Sequence, residues 1–238
     1  MALKIRPVHK NFFLRTAFFH HQMAKKIKTV AVIVAHPDDE TLWAGGTILN
    51  NPDWLCFVIC LSHKSNIERA AKFTEALKAL GAHGMMGDLD DGPEQKPLSD
   101  NEVQETILQL MPPLHFDLII SHSINGEYTR HRRHEEVGRA VIKLWCTGRL
   151  TADQLWAFAY EDGHRAYHPI TIEDASIYNS LPPDIWENKY SIITDIYDFD
   201  KNSWEAQTTP REEAFWEFLS PAEAQQWLVD GYMPIQVE

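Results

Sequence analysis

Short apolar runs alternate along the chain with longer amphipathic segments. The first run, Thr29 to Ala35, is continuously apolar and rich in β-branched residues. Such a run is typical of a strand that is buried on both faces of a parallel sheet. Similar runs predict strands at 54–61, 85–89, 116–121 and 155–160. Between them, a helical period predicts helices at 39–50, 66–80, 101–111 and 133–145. Strands that alternate with helices predict an α/β fold with a doubly wound, mainly parallel sheet and right-handed crossovers.

Beyond Tyr160 the alternation of strands and helices weakens. The pattern predicts a strand at 192–196 and helices at 211–219 and 221–227. The last helix has a clear start, because Ser220 is an N-cap residue, Pro221 suits the first turn and Glu223 completes a capping box. This part of the chain is therefore predicted to be an elaboration of a single domain.

Composition and charge narrow the classes of partner. The chain has 238 residues, of which 44% are hydrophobic, enough for a sizeable core. The formal net charge of −12 repels phosphate backbones and acidic lipids, so we expect no nucleic acid and no membrane partner. The N-terminal segment lacks the uninterrupted apolar stretch of a secretory signal, and three cysteines suit a reducing compartment. We therefore expect a cytoplasmic location.

The first predicted strand runs directly into a histidine and three acidic residues, in the segment His36-Pro37-Asp38-Asp39-Glu40. Ligands of open parallel sheets bind at the carboxyl ends of the strands, where these side chains are expected. Like charges held this closely favour a bound cation. The alternative is that Asp38 or Asp39 only caps the following helix.

A second histidine pair, His131 and His134, follows the strand predicted at 116–121 and lies at the start of a helix. At this spacing both imidazoles can point the same way, although two surface histidines are the alternative in a chain with 12 histidines. Together with His36 and Asp39 at the same edge, the pair indicates three ligands and one open position, as in catalytic zinc sites. A spare carboxylate and a spare imidazole there favour metal-assisted hydrolysis of an amide or ester.

These motifs resemble those of the LmbE/PIG-L family of zinc-dependent N-acetylglucosaminyl deacetylases. The resemblance covers about half of the chain, from Thr29 to about Trp145. Its most specific part is Ala-His-Pro-Asp-Asp-Glu at 35–40. The other matches are Gly-Gly-Thr-Ile at 45–48, Ala-Leu-Gly at 79–81, Phe-Asp-Leu-Ile-Ile-Ser at 116–121, Asn-Gly-Glu-Tyr at 125–128, and the pair His131 and His134.

The resemblance implies a Rossmann-like fold and a bound divalent metal, usually zinc, with another ion such as Fe²⁺ as the alternative. It implies that His36, Asp39 and His134 are the metal ligands. Asp38 would be the general base towards a metal-activated water, and His131 would stabilise the tetrahedral intermediate. The products would be acetate and a free amino sugar.

The resemblance also suggests residues that bind the substrate. Arg69 resembles a sugar-contacting arginine, although a solvated charge on the helix is the alternative. Asp90 or Asp91 would contact sugar hydroxyls, of which we select Asp90, although Asp-Gly turns explain both equally well. Tyr128 is the third candidate. The expected substrate is a small N-acetylated sugar or sugar conjugate.

The domain prediction that follows has an N-terminal extension at 1–28 and a deacetylase domain at 29–238. Within the domain, 29–145 is the catalytic half and 161–238 the C-terminal elaboration. Aromatic residues of the elaboration suit a core or an interface in a homo-oligomer. Other functions considered are an amidase acting on another N-acyl group or on a thiol-sugar conjugate, and a non-catalytic metal- or sugar-binding module.

One departure from the family pattern concerns the second histidine pair. The family commonly has His-Pro-Asp-His where this chain has His131-Arg132-Arg133-His134. The missing acid could have fixed the tautomer of His131. Glu135 is the substitute that the sequence suggests.

Overall fold

The computed structural model of the protein describes residues 27–129 and 131–231, and the predicted extension at 1–28 lies outside the described residues except for its last two. The first half contains β1 (Thr29–Val34), α1 (Asp39–Leu49), β2 (Leu55–Cys60), α2 (Ile67–Leu80), β3 (His83–Met86), α3 (Asp100–Leu110), β4 (Leu118–Ser121) and α4 (Arg132–Cys146). The second half contains β5 (Leu155–Phe158), β6 (Tyr160–Glu161), β7 (Ile170–Thr171), β8 (Ile177–Ser180), α5 (Pro183–Ser191), a π-helix (Ile192–Ile196), α6 (Trp204–Thr208), β9 (Glu212–Phe218) and α7 (Pro221–Asp230).

Seven strands form one sheet in the order β3-β2-β1-β4-β5-β9-β8. The first five are parallel, whereas β9 runs antiparallel to β5, and β8 antiparallel to β9. Strand order reverses direction at β1, since the chain moves to β2 and β3 on one side and returns to β4 on the other. This confirms the predicted mainly parallel α/β fold.

Alternation along β1 explains why helices cover both faces. Val30, Val32 and Val34 belong to a core cluster with residues of α1 and α2, whereas Ala31 and Ile33 belong to a second cluster with residues of α3 and α4. Successive side chains of a strand point to opposite faces, so a continuous apolar run produces two cores. The sheet separates them.

Local capping signals set the ends of two helices, and those of α7 are the predicted ones. The Asn66 side chain accepts a hydrogen bond from Arg69 N at the start of α2, and Gly81 ends this helix with φ 67°, a left-handed conformation that suits glycine. At α7, Ser220 Oγ accepts from Glu223 N at 3.4 Å, and Glu223 Oε2 accepts from Leu219 N at 2.8 Å.

Two predictions in the C-terminal part are wrong. The strand predicted at 192–196 is the π-helix, because Ile192, Ile193 and Tyr197 form one buried helical face that continues from α5. The helix predicted at 211–219 is strand β9, which hydrogen-bonds to a strand on either side. Pairing on both edges outweighs the local helix propensity of its Glu and Ala residues.

Two further predicted strands differ in extent. The strand predicted at 85–89 is β3, which already ends at Met86. The strand predicted at 155–160 is divided between β5 and β6, and β6 pairs with β7 in a separate two-stranded sheet. Within the described parts of the chain, none of the helices combines the length and apolarity needed to cross a membrane.

Candidate metal centre and active site

Three predicted ligands meet at the carboxyl edge of the sheet. His36 follows β1, Asp39 is the first residue of α1, and His134 lies in the first turn of α4. His36 Nδ1 lies 3.1 Å from Asp39 Oδ2 and 3.2 Å from His134 Nε2, and His134 Nε2 lies 3.2 Å from Asp39 Oδ1. All three residues are buried.

This set of donor atoms fits a divalent cation. Tetrahedral zinc with bonds of about 2.0–2.1 Å separates its ligand atoms by roughly 3.3 Å, close to the distances found here. His134 Nδ1 lies 2.5 Å from Glu127 Oε2, so its proton belongs there and the Nε2 lone pair faces the centre. A carboxylate and imidazole lone pairs that converge in a buried space require a positive charge between them.

Glu127 and His122 support this centre and were missed by the sequence reasoning. Glu127 Oε2 also lies 2.9 Å from His122 Nδ1, and Oε1 accepts from Ser123 N at 3.0 Å. Burial alone would raise the pKa of Glu127, but the His122 and His134 rings that face it hold this pKa at about 2. The available signal was the position of both residues just after β4.

Two groups of described residues could hold a metal ion. One is His36, His131 and His134, and the other combines Asp39 and His134 with His122. The His122 Nε2 atom, however, accepts a hydrogen bond from Ala35 N at 3.0 Å. The Glu127 carboxylate opposite Nδ1 keeps a proton on that nitrogen, so Nε2 has the lone pair that the backbone N–H needs. Because one ring nitrogen faces Glu127 and the other accepts from the backbone, His122 supports the residues of the centre and is not a ligand in this arrangement.

Asp38 lies at the rim of the centre with an unusual backbone. Its φ of 129° is far from the region favoured by residues with a side chain. Although Asp38 occupies the N-cap position of α1, its side chain makes no capping hydrogen bond, so the capping alternative does not hold for it. Burial, and then the charge of Asp39, raise the pKa of Asp38.

His131 lies beside His134, at the N-cap position of α4. Their ring centroids are 3.9 Å apart, and the His131 ring meets that of His36 edge-on at 4.7 Å. His131 Nδ1 is buried without a hydrogen-bond partner among the described residues. Burial, followed by the charges of His134 and His36, lowers the pKa of His131 to about 2. The ring is therefore neutral in this arrangement.

The suggested substitute for the missing acid does not reach His131. Glu135 Oε2 instead accepts from Arg139 Nη2 at 3.1 Å, one turn further along α4. The physical reason is helix geometry, because a residue four positions after His131 lies over the next turn and meets its own i+4 partner.

The predicted substrate-binding residues divide between two sides of the centre. Arg69 Nη2 donates to Pro37 O at 3.2 Å and lies 3.9 Å from Asp38 Oδ2. Asp91 Oδ1 lies 3.2 Å from His36 Nε2, whereas the Asp90 carboxylate lies beside Arg133. The structure thus brings Arg69 and Asp91, not Asp90, into contact with the residues of the centre.

Tyr128 lies on the other side, where it forms one wall of an open cavity of about 700 Å³. Its ring packs edge-on against His131 at 5.0 Å and against Trp204 at 4.7 Å. His131 lines the same cavity, as do several polar and aromatic residues of the C-terminal part, among them Asp162, Arg165 and Tyr167. A cavity of this size, open to His131, suits a ligand of small-molecule dimensions.

Comparisons with known proteins bear on the family and the fold. Residues 31–145 match the family model described as PIG-L: GlcNAc-PI de-N-acetylase. A curated relative, "Uncharacterized protein L374" of Acanthamoeba polyphaga mimivirus, is 21% identical over 173 residues, which cover 66% of this chain and 73% of the relative.

Two solved structures illustrate the shared fold. The N,N'-diacetylchitobiose deacetylase of Pyrococcus horikoshii is 15% identical, with a TM-score of 0.64 over 89% of this chain and 88% of that chain. GalB, the 4-carboxy-2-hydroxymuconate hydratase of Pseudomonas putida, is 17% identical, with a TM-score of 0.55 over 80% of this chain and 96% of that chain. Because one is a deacetylase and the other a hydratase, the fold alone does not define the reaction.

A third structure, the zinc-inhibited form of teicoplanin deacetylase Orf2, is 12% identical and has a TM-score of 0.57 over 79% of this chain and 97% of that chain. The family match covers 115 of the 238 residues, at 31–145, and is the one that the resemblance of the motifs predicts.

Proposed function

We propose that the protein is a metal-dependent hydrolase that removes the N-acetyl group from a small N-acetylglucosaminyl compound, with zinc as the metal. The observation that carries this proposal is the convergence of His36, Asp39 and His134 within 3.2 Å of one another, with Asp38 and His131 beside them. The family match supports the reaction, because its description names de-N-acetylation of GlcNAc-PI.

His36, Asp39 and His134 would hold the ion, leaving one position open to water and substrate. When bound, zinc supplies Lewis-acid polarisation of the acetyl carbonyl and lowers the pKa of water. Asp38 takes a proton from the attacking water and then delivers it to the amine nitrogen as the C–N bond breaks. Its carboxylate is free for both steps because it does not cap α1.

His131 would donate a hydrogen bond to the oxygen that becomes negative as water adds to the carbonyl. Its buried ring, with no hydrogen bond at Nδ1 within the described chain, suits a group whose partner is the substrate. The Arg69 guanidinium fixes the Asp38 side of the site and remains partly exposed for a sugar hydroxyl. Tyr128 and the cavity next to it would take the rest of the sugar conjugate.

The proposal is tested by release of free amine from a panel of N-acetylated sugars, with and without a chelator. Activity should disappear on complete removal of metal and return when zinc is added. Activity that persists in metal-free protein would exclude this mechanism. A panel of divalent ions, Fe²⁺ included, added to the metal-free protein identifies the ion that gives the highest rate.

Two substitutions separate the roles of the site residues. Asp38→Asn should retain zinc and lower turnover on the order of 10² to 10⁴-fold. His134→Ala should instead lose zinc, as measured by elemental analysis. Asp153→Asn is the matched control, because the exposed Asp153 side chain pairs with His115 and not with a residue of the proposed site. Normal turnover in Asp38→Asn, or full zinc content in His134→Ala, would contradict the assignment.

A further inference from the structure

The two arginines that replace the family's usual residues contact a loop rather than the histidines on either side of them. This loop, at 87–99, connects β3 to α3. The Arg133 side chain is only 1% exposed. Its Nε donates to Asp90 O at 2.5 Å and its Nη2 to Lys96 O at 3.0 Å, while Nη1 donates to Glu136 Oε2 at 2.6 Å. Two donors of one planar group therefore attach the 87–99 loop to α4, while the third pairs with Glu136 within the helix.

Two further contacts attach the same loop to the same helix. Arg132 Nη1 donates to Gln95 O at 2.7 Å, and Leu98 N donates to Glu136 Oε1 at 3.1 Å. The 87–99 loop lacks regular structure, and a loop of this kind takes its position from such contacts. The first turn of α4 thus sets where the 87–99 loop lies.

The 87–99 loop brings Asp91 to the metal centre. Asp91 Oδ1 accepts from Gln95 Nε2 at 2.7 Å and lies 3.2 Å from His36 Nε2, while Oδ2 lies 3.2 Å from His63 Nε2. The contact with His36 is close, but it lacks the alignment of a hydrogen bond, so it acts through charge. A carboxylate at this place favours a proton on Nε2 of His36.

The tautomer of His36 matters because its other nitrogen is the donor atom. With the proton on Nε2, the Nδ1 lone pair faces Asp39 and His134. With the proton on Nδ1, the ring would donate to Asp39 Oδ2 instead, and the centre would lose one of its three donors. An acid opposite Nε2 therefore selects the tautomer that can bind a metal.

We propose that Asp91 fixes the tautomer and ring orientation of His36, and that Arg133 is the positioning residue that holds Asp91 there through the 87–99 loop. This inference rests on the proposed metal-dependent function. It gives the departure from the family motif a role, since α4 carries His134 itself and also fixes the partner of His36. Two ligands are then oriented by one helix.

The test uses the full-length, zinc-loaded protein and the variants Asp91→Asn, Arg133→Lys and their combination. Zinc affinity is measured by competition with a chromophoric chelator, together with the rate of zinc release. Asp91→Asn should weaken zinc binding by roughly 10- to 100-fold. Arg133→Lys keeps the charge but cannot reach Asp90 O and Lys96 O together, so it should weaken binding in the same direction. The double variant should bind no more weakly than Asp91→Asn alone.

A second readout does not depend on the metal. In the metal-free protein, the ¹⁵N shifts of the His36 ring, followed as the pH is raised until the ring is neutral, report which nitrogen keeps the proton. Wild type should show the Nε2–H tautomer, and both single variants should lose this preference. Arg149→Lys is the matched control, because Arg149 pairs with Glu105 at the surface and should change neither measurement.

Several results would overturn the inference. Unchanged zinc binding in Asp91→Asn would remove Asp91 from the support of His36. Effects of the two single variants that multiply in the double variant would show that Arg133 does not act through Asp91. If Arg133→Lys does not fold, Arg132→Ala loosens the same loop from an exposed position and must weaken zinc binding. A wild type that binds no zinc would refute the proposed function, whereas the His36 tautomer would still decide the role of Asp91.

Discussion

Replacement of Glu127 by Gln should weaken the metal centre although no proposed ligand is changed. The Glu127 side chain is fully buried, and its two oxygens receive three N–H groups, from His122, His134 and Ser123. Gln has nearly the same shape but only one oxygen, and its NH₂ group cannot accept a hydrogen bond. Whichever way the amide turns, at least one buried N–H group is left facing another donor.

The magnitude follows from the geometry. Each buried donor left without an acceptor costs about 1–3 kcal/mol. When the amide nitrogen faces the two imidazoles, His134 loses the contact that keeps its proton on Nδ1. Loss of such a partner typically lowers metal affinity by about 10- to 100-fold. We therefore expect zinc affinity to fall by this factor and the free energy of unfolding to fall by about 1–3 kcal/mol.

Zinc affinity is measured by chelator competition, and stability by urea unfolding of the metal-free protein. Glu135→Gln is the matched control, because Glu135 lies one residue beyond His134 but pairs with Arg139, away from the centre. The control should keep wild-type zinc affinity. A Glu127→Gln variant whose zinc affinity stays within about twofold of the wild type would refute the idea that Glu127 holds His134 in its metal-binding form, since the expected loss is several times larger.

Two further predictions concern the fold. Glu213→Gln should lower the free energy of unfolding, measured in urea, by about 3–5 kcal/mol, because it leaves the fully buried Lys189 without its charged partner. The control Glu75→Gln removes an exposed ion pair and should lower it by less than about 1 kcal/mol. Equal losses in the two variants would contradict the reasoning. At pH 8 a thiol reagent should modify only Cys146 in the folded protein, because Cys56 and Cys60 are buried and burial raises the pKa of Cys56 to about 12. Rapid reaction of three thiols before unfolding would show that this core is open.

Elements with local signals could be predicted from the sequence, and elements defined by distant partners could not. Helix α2 has its own N-cap residue, Asn66, and its own stop at Gly81. Strand β9 has no such signal, because its neighbours β5 and β8 lie far away along the chain. Its inner residue Glu213 accepts from Gly46 N, Thr47 N and Lys189 Nζ, which explains how a charged residue lies inside a strand.

The candidate site divides in the same way. Residues directly at strand ends, such as His36 and Asp39, could be brought together from the topology of a parallel sheet. Glu127 and Asp91 lie in loops, whose paths depend on contacts made by other segments. Asp90 and Asp91 are chemically identical and adjacent, so only the attachment of the 87–99 loop to α4 decides which one meets His36.

The insertion of β9 beside β5 has a consequence for synthesis of the chain on the ribosome. Roughly 50 residues separate the end of β5 from the start of β9. At a translation rate of about 5–20 residues per second, the β9 edge of β5 therefore stays unpaired for roughly 3–10 s after β5 is synthesised. During this interval Gly46 and Thr47 also lack the carboxylate of Glu213. A nascent chain interrupted within this interval would expose an apolar strand edge to other chains, so a premature stop there should yield aggregates instead of a smaller enzyme.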